Sequence, residues 1–225
     1  MSTAAVPFLR ITEIFHSIQG ESSWSGLPCT FVRLTGCPLR CVWCDTEYAF
    51  HGGAPRTLDE IVEEVRSIGT PLVEITGGEP LAHPNAYVLA ERLLNEGFTV
   101  LVETSGAFDV APLDPRVHRI MDLKCPGSGE SDRNLWENLD HLTDLDEVKF
   151  VVLDRVDYEW ARDTIRERGL DRRLEEGTLR DLLMSPVWDA CDLLDLAGWI
   201  LEYRLPVRLQ TQLHKHIWGT DTRGV

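Results

Sequence analysis

Cys37-Pro38-Leu39-Arg40-Cys41-Val42-Trp43-Cys44 gathers three of the chain's six cysteines at the spacing C-x3-C-x2-C. Three thiolates this close in sequence let one loop wrap a soft metal centre. Two kinds of centre suit the donors. Structural zinc wants four ligands and could borrow Cys29, His51 or Cys125 as the fourth. An iron-sulfur cube held by three cysteines instead keeps one iron open, and that iron can bind a substrate or cosubstrate. Three unrelated buried cysteines are the bland reading. The scarcity of cysteine elsewhere in the chain speaks against it.

Outward from this loop, short apolar runs alternate with amphipathic stretches. Thr30–Leu34, Leu72–Thr76, Phe98–Val102, Arg119–Leu123 and Val148–Leu153 read as strands, several of them rich in β-branched residues. Leu182–Met184 and Val207–Leu209 are shorter candidates. Helices fall between them. Thr57 and Glu60 form a capping box ahead of Leu58, Ile61, Val62 and Val65. Ala86, Leu89, Ala90 and Leu93 follow Asn85 at helical spacing. Tyr158, Ala161 and Ile165 mark a charged helix after Asp157, and Leu193, Leu196, Ala197 and Ile200 a later one. Such alternation predicts an α/β protein with a parallel sheet covered by helices. It suits an incomplete barrel as well as a doubly wound sheet, and in both the chemistry sits at the C-terminal ends of the strands.

Composition narrows the function classes. The 225 residues carry 22 Lys plus Arg against 37 Asp plus Glu, a formal charge of -15. No net positive field would draw a phosphate backbone, so direct nucleic-acid binding is not expected. Hydrophobic residues make up 43%, enough for a packed core rather than a disordered chain. No apolar stretch approaches the roughly 18 residues of a membrane span. Met1-Ser2-Thr3-Ala4-Ala5-Val6-Pro7 does not read as a signal peptide. A cytoplasmic protein with free or metal-bound cysteines is expected, with no membrane partner.

With Trp43 before the last cysteine, the loop resembles the signature of the radical S-adenosylmethionine superfamily. The resemblance implies that Cys37, Cys41 and Cys44 hold a [4Fe-4S] cluster whose fourth iron chelates S-adenosylmethionine. Thr76-Gly77-Gly78-Glu79-Pro80, directly after a strand, resembles the superfamily's site for the methionine amino group. Two glycines allow close backbone approach to a ligand there, and Glu79 can accept from an ammonium. Thr104 and Ser105, in Glu103-Thr104-Ser105-Gly106, look like ribose or carboxylate contacts. Lys124 would face the cosubstrate carboxylate. Each could instead be a turn residue, a helix cap or a surface charge.

The two ends of the chain are more specific. Glu13-Ile14-Phe15-His16-Ser17-Ile18-Gln19-Gly20-Glu21, Arg33 and Gln210-Thr211-Gln212-Leu213-His214-Lys215 resemble the 7-carboxy-7-deazaguanine synthase family. That likeness implies an incomplete TIM-like barrel of about six parallel strands, a single domain over residues 1–225. The implied reaction converts 6-carboxy-5,6,7,8-tetrahydropterin to 7-carboxy-7-deazaguanine with loss of ammonia, begun by a 5'-deoxyadenosyl radical at C6. Arg33 would fork onto the substrate carboxylate. Gln19 and Glu21 would pair with the pterin edge, His214 would touch substrate, and Thr46 would contact Mg2+. As alternatives, Arg33 is a surface ion-pair residue, Thr46 a cap and His214 a tail residue. The likeness further implies a flavodoxin or ferredoxin as reductant, and a homodimer. Two departures stand out. Asp122-Leu123-Lys124 replaces a Ser-Pro-Lys segment of some members, and Ser185-Pro186 stands where some carry a glutamine. Rival functions are a glycyl-radical-enzyme activating enzyme, which shares the cysteine loop, and a non-enzymatic zinc-binding module.

Overall fold

A computed structural model describes residues 6–220 and 222–225. The reading of a missing signal peptide rests mainly on residues 1–5, which lie outside the described residues, as does Asp221 in the tail. The apolar runs fold into β2 (Pro28–Leu34), β4 (Leu72–Gly77), β5 (Thr99–Thr104), β6 (His118–Asp122), β7 (Glu147–Val152) and β8 (Asp181–Pro186), with a two-residue β9 (Arg208–Leu209). These strands are parallel throughout. Two further strands, not anticipated from sequence, precede and extend them. β1 (Phe8–Ile18) runs antiparallel to β2, and β3 (Ala54–Thr57) antiparallel to β1. The sheet order is β3-β1-β2-β4-β5-β6-β7-β8-β9. β3 is short, exposed and carries Pro55, which an edge strand tolerates because it need not donate on its open side. A bulge between Ile11 and Glu13 resets the β1 register and sets Glu13 opposite Arg33.

A contact across the sheet separates a barrel from a flat doubly wound sheet. β1 and β7 stand five strand spacings apart, about 24 Å in a flat sheet. Yet Lys149 of β7 lies 3.0 Å from Glu21, just beyond β1. The sheet is therefore curled, while its linear strand order leaves it unclosed.

Helices cover the outside. α1 (Leu58–Ile68) begins at the Thr57/Glu60 capping box and ends at left-handed Gly69. α2 (Pro84–Asn95) buries Ala86, Leu89, Ala90 and Leu93. The third helix starts earlier than its apolar pattern suggested. α3 (Arg155–Glu167) is capped by Asp154, whose carboxylate accepts from the Val156 and Asp157 amides. Asp157 is buried and ties the helix to the loop after β6 by accepting from Gly127 N. α4 (Leu170–Glu175) was not anticipated. α5 (Leu193–Tyr203) buries Leu196 and Ile200 but leaves Leu193 exposed, so its inward face is narrower than expected. α6 (Leu213–Trp218) follows β9. Among the described residues no helix is long and apolar enough to cross a membrane.

Period-two alternation divides the strands between two environments. Val73, Ile75, Val100, Val102, Val148, Phe150, Leu182 and Met184 face the helices in the main core. The alternate positions turn into the hollow of the curled sheet. Its base is apolar, packed with Cys29, Phe31, Leu72, Leu101, Ile120 and Leu183 beneath Phe15 and Trp24.

Candidate active site

Above that apolar base the hollow becomes polar. Six parallel strands contribute inward-facing residues, Glu74 on β4 and Lys149 on β7 at mid-strand, and Arg33 on β2, Thr76 on β4, Glu103 on β5, Asp122 on β6 and Ser185 on β8 near the C-terminal ends. With the connecting loops they enclose a cavity of about 640 Å³. Cys37, Cys41 and Cys44 all line it, as do Gln19, Glu21, Thr46, Gly77, Gly78, Thr104, Ser105, Lys124 and His214. Residues from both ends of the chain and from these six strands thus share one wall.

Glu79 is the exception. Its side chain is fully buried and does not line the cavity. One carboxylate oxygen accepts from Leu81 N and Thr104 Oγ1, the other from Ser105 N at 2.7 Å. The expected ammonium acceptor lies behind the wall, where its carboxylate braces two loops through these three hydrogen bonds. The double glycine also has a different reason from the one its sequence suggested. A side chain at Gly78 would strike the Gly36 carbonyl and crowd Cys37 N. The close approach is to the cysteine loop, and Glu79 N donating to Gly36 O reinforces it.

The three loop cysteines are half-buried free thiols. Burial pushes all three above the usual cysteine range, a state that a bound cation would reverse. Cys29, Cys125, Cys191 and His51 lie off the cavity wall. Among the described residues, no three or more His, Cys, Asp or Glu side chains gather closely enough to grip one ion. Zinc needs its donors within about 2.0–2.3 Å of a single point. Cys37, Cys41 and Cys44 are the cysteines on the cavity wall, the donor set a three-cysteine iron-sulfur cube would use. Thr46 offers a hydroxyl at the wall, where it donates to Asp45 Oδ1 at 2.9 Å.

Arg33 Nε pairs with Glu13 Oε1 at 2.8 Å, and its guanidinium lies over the Phe15 and Tyr48 rings. This holds the guanidinium at the wall, with no hydrogen bond to its terminal nitrogens among the described residues. Gln19 donates from Nε2 to buried Glu74 and accepts from Glu21 N through Oε1. His214 packs on Gly20, where any side chain would collide with the imidazole. Lys124 Nζ meets Asp122 Oδ2 at 2.6 Å. Burial disfavours that ammonium, but Asp122 and Cys41 more than offset it and hold its pKa above the ordinary lysine range.

Several wall residues went unread in the sequence. Glu74 sits mid-strand in the run Leu72-Val73-Glu74-Ile75. Burial and then the nearby Glu103 and Glu21 push its carboxyl well above the usual range, which favours its neutral form. Lys149 sits likewise between Val148 and Phe150, where only the charge in an apolar run betrays it. Gln212 Nε2 donates to Glu21 Oε1 and to Asp45 Oδ2, and Lys215 Nζ reaches Asp45 Oδ2 at 2.8 Å. The C-terminal segment is thereby stitched to both the β1–β2 loop and the cysteine loop. In the tail, Thr220 and Val225 line the cavity whereas Trp218 does not.

The Radical SAM superfamily profile matches residues 31–124, from β2 to Lys124. The 7-carboxy-7-deazaguanine synthase of Koribacter versatilis is 48% identical, over 96% of this chain and 100% of that protein. The synthase of the same name from Chlorobaculum tepidum is 43% identical over 100% of both. That of Thermoplasma acidophilum is 36% identical over 96% of this chain and 100% of its own. Among solved structures, QueE from Escherichia coli shares the fold with a TM-score of 0.69 at 23% identity, covering 91% of this chain and 94% of that one. SuiB of Streptococcus suis bound to precursor peptide SuiA shares it more distantly, with a TM-score of 0.53 over 79% of this chain and 47% of that one.

Proposed function

The chain belongs to the 7-carboxy-7-deazaguanine synthase family, and we propose on that premise that it converts 6-carboxy-5,6,7,8-tetrahydropterin to 7-carboxy-7-deazaguanine, releasing ammonia. The observation that carries the reading is one cavity lined by the three cysteines and by the residues expected to meet cosubstrate and substrate. When bound, the [4Fe-4S] cluster and S-adenosylmethionine supply the 5'-deoxyadenosyl radical that removes hydrogen from C6. Cys37, Cys41 and Cys44 hold the cluster. Gly77, Gly78, Thr104, Ser105 and Lys124 contact S-adenosylmethionine, and Glu79 acts behind them as the brace of their loops. Ser185 lines the same wall at the end of β8.

Arg33 binds the substrate carboxylate, since a guanidinium already fixed by Glu13 loses little freedom on accepting a second anion. Gln19 and Glu21 meet the pterin edge and His214 packs beside it. Thr46 offers its hydroxyl oxygen to Mg2+, a hard ion that takes its other ligands from substrate and water. The apolar base under the cavity excludes water from beneath the ring that contracts. Outside the cavity the reading includes a one-electron donor of flavodoxin or ferredoxin type, a homodimer and one domain. The relatives at 36–48% identity are all synthases of one reaction, so the glycyl-radical-activating alternative is set aside.

The test is anaerobic incubation of the iron-loaded protein with carboxytetrahydropterin, S-adenosylmethionine, Mg2+ and a reductant. Carboxydeazaguanine should form, with about four irons per chain. Arg33→Ala should raise KM for the pterin about 30-fold or more while 5'-deoxyadenosine formation without substrate persists. A protein that cleaves S-adenosylmethionine but makes no deazapurine would overturn the reading.

A further inference from the structure

We infer that Lys149 is a positioning residue for substrate binding: its ammonium holds Glu21 and Glu103 side by side as paired acceptors for the donor edge of the pterin. The inference deepens the function proposed above and rests on it. Lys149 is almost wholly buried, its side chain 5% exposed. A lysine there is costly unless paired, and an apolar residue of similar volume would fill the space more cheaply. Its placement follows from the strand. Val148 and Phe150 face the helices, so Lys149 must enter the hollow.

Its single nitrogen joins groups from three elements. Glu21 Oε2 lies 3.0 Å away on the loop after β1, Glu103 Oε1 comes from β5, and Asp122 Oδ1 lies 3.7 Å away on β6. The second oxygen of each paired carboxylate is anchored too. Glu21 Oε1 accepts from Gln212 Nε2 at 3.0 Å, and Glu103 Oε2 accepts from Thr76 Oγ1 at 3.1 Å. With both oxygens held, each carboxylate plane is set, and each oxygen keeps a lone pair to spare. All these residues line the cavity. The 2-amino group and ring N–H of a pterin form a donor pair that two adjacent carboxylates can accept. Two carboxylates this close repel each other unless a cation lies between them.

The charged groups facing the pair are Lys149 from β7, Glu74 from β4, Asp122 and Lys124 from the end of β6, and Arg33 from β2. Burial disfavours the Lys149 ammonium, yet Asp122, Glu103 and Glu21 hold its pKa well above the ordinary lysine range. Burial likewise raises Glu103, and Lys149 with Thr76 brings it below the usual carboxylate range. Removing the ammonium leaves Glu21 and Glu103 repelling each other, which drives them apart and costs the substrate its paired acceptors.

The experiment uses the holoenzyme loaded with cluster, S-adenosylmethionine and Mg2+, with fluorescent 6-carboxypterin as the probe. Lys149→Met should weaken its Kd by about 30-fold or more. Lys149→Arg should recover most of the affinity. A Lys149→Met Kd within about threefold of the parent would overturn the inference. If Lys149→Met does not fold, Lys149→Gln replaces it. Weakened binding in that variant supports the pairing and parental binding overturns it. A parent holoenzyme that yields no carboxydeazaguanine would instead remove the proposed function, and this inference with it.

Discussion

A Cβ on Gly78 would collide with the Gly36 carbonyl, so the glycine serves the cysteine loop before it serves any ligand. Gly78→Ala should therefore push the loop outward and lower iron from about four to under about one per chain after anaerobic reconstitution. The far-ultraviolet circular dichroism should be unchanged, because β4 ends at Gly77. Iron content retained at the parental level would show that the loop can give way. At this scale the residue types were legible and their partners were not. Glu79 was visible in the sequence as an acceptor, but its three donors come from Leu81, Thr104 and Ser105, two of them more than twenty residues away. Glu74 and Lys149 were passed over because each sits inside an apolar strand. The period-two rule that assigns their neighbours to the core also turns them into the hollow.

Helix α3 shows what local pattern misses at an end. Its apolar spacing begins at Tyr158, but the backbone turns helical at Arg155 because Asp154 caps it. The cap accepts from two otherwise orphaned amides, at 2.9 and 3.1 Å. Asp154→Ala should lower unfolding free energy by about 1 kcal/mol, read as a shifted urea midpoint at constant slope. Catalysis should be untouched, since Asp154 lies away from the cavity. Helix α1 was legible with its capping box, and α2 by its 3.6-residue periodicity although it begins at Pro84 rather than after Asn85, because both signals are local properties. β1 escaped notice although Leu9 and Ile11 are buried in it. Its bulge after Ile11 breaks the alternation that marks a strand, and the same bulge sets Glu13 opposite Arg33. β3 carries too few buried residues to leave any pattern.

Across the whole molecule, the open side of the curled sheet is bridged by the C-terminal segment rather than by strand pairing. Gln210 sits just beyond β9, at one edge. Its amide accepts from Ser22 N and donates to Ser22 O at 2.6 Å, while Leu213 N reaches Gly20 O. Gln210→Ala leaves two buried backbone groups unpaired and should cost about 1–3 kcal/mol. It should also raise KM for the pterin with iron content unchanged, because the Gln19–Glu21 loop loses its far anchor. A parental KM together with lowered stability would make the bridge purely structural. The sequence by itself determined the cysteine loop, the parallel strands and most of the outer helices, because each is written in spacing that neighbours can satisfy alone. Only the tertiary structure decided which side chains meet: Glu21, Glu103 and Lys149 are separated by 82 and 46 residues along the chain. They come within reach of one another because curling the sheet brings β1 and β7 together across the hollow.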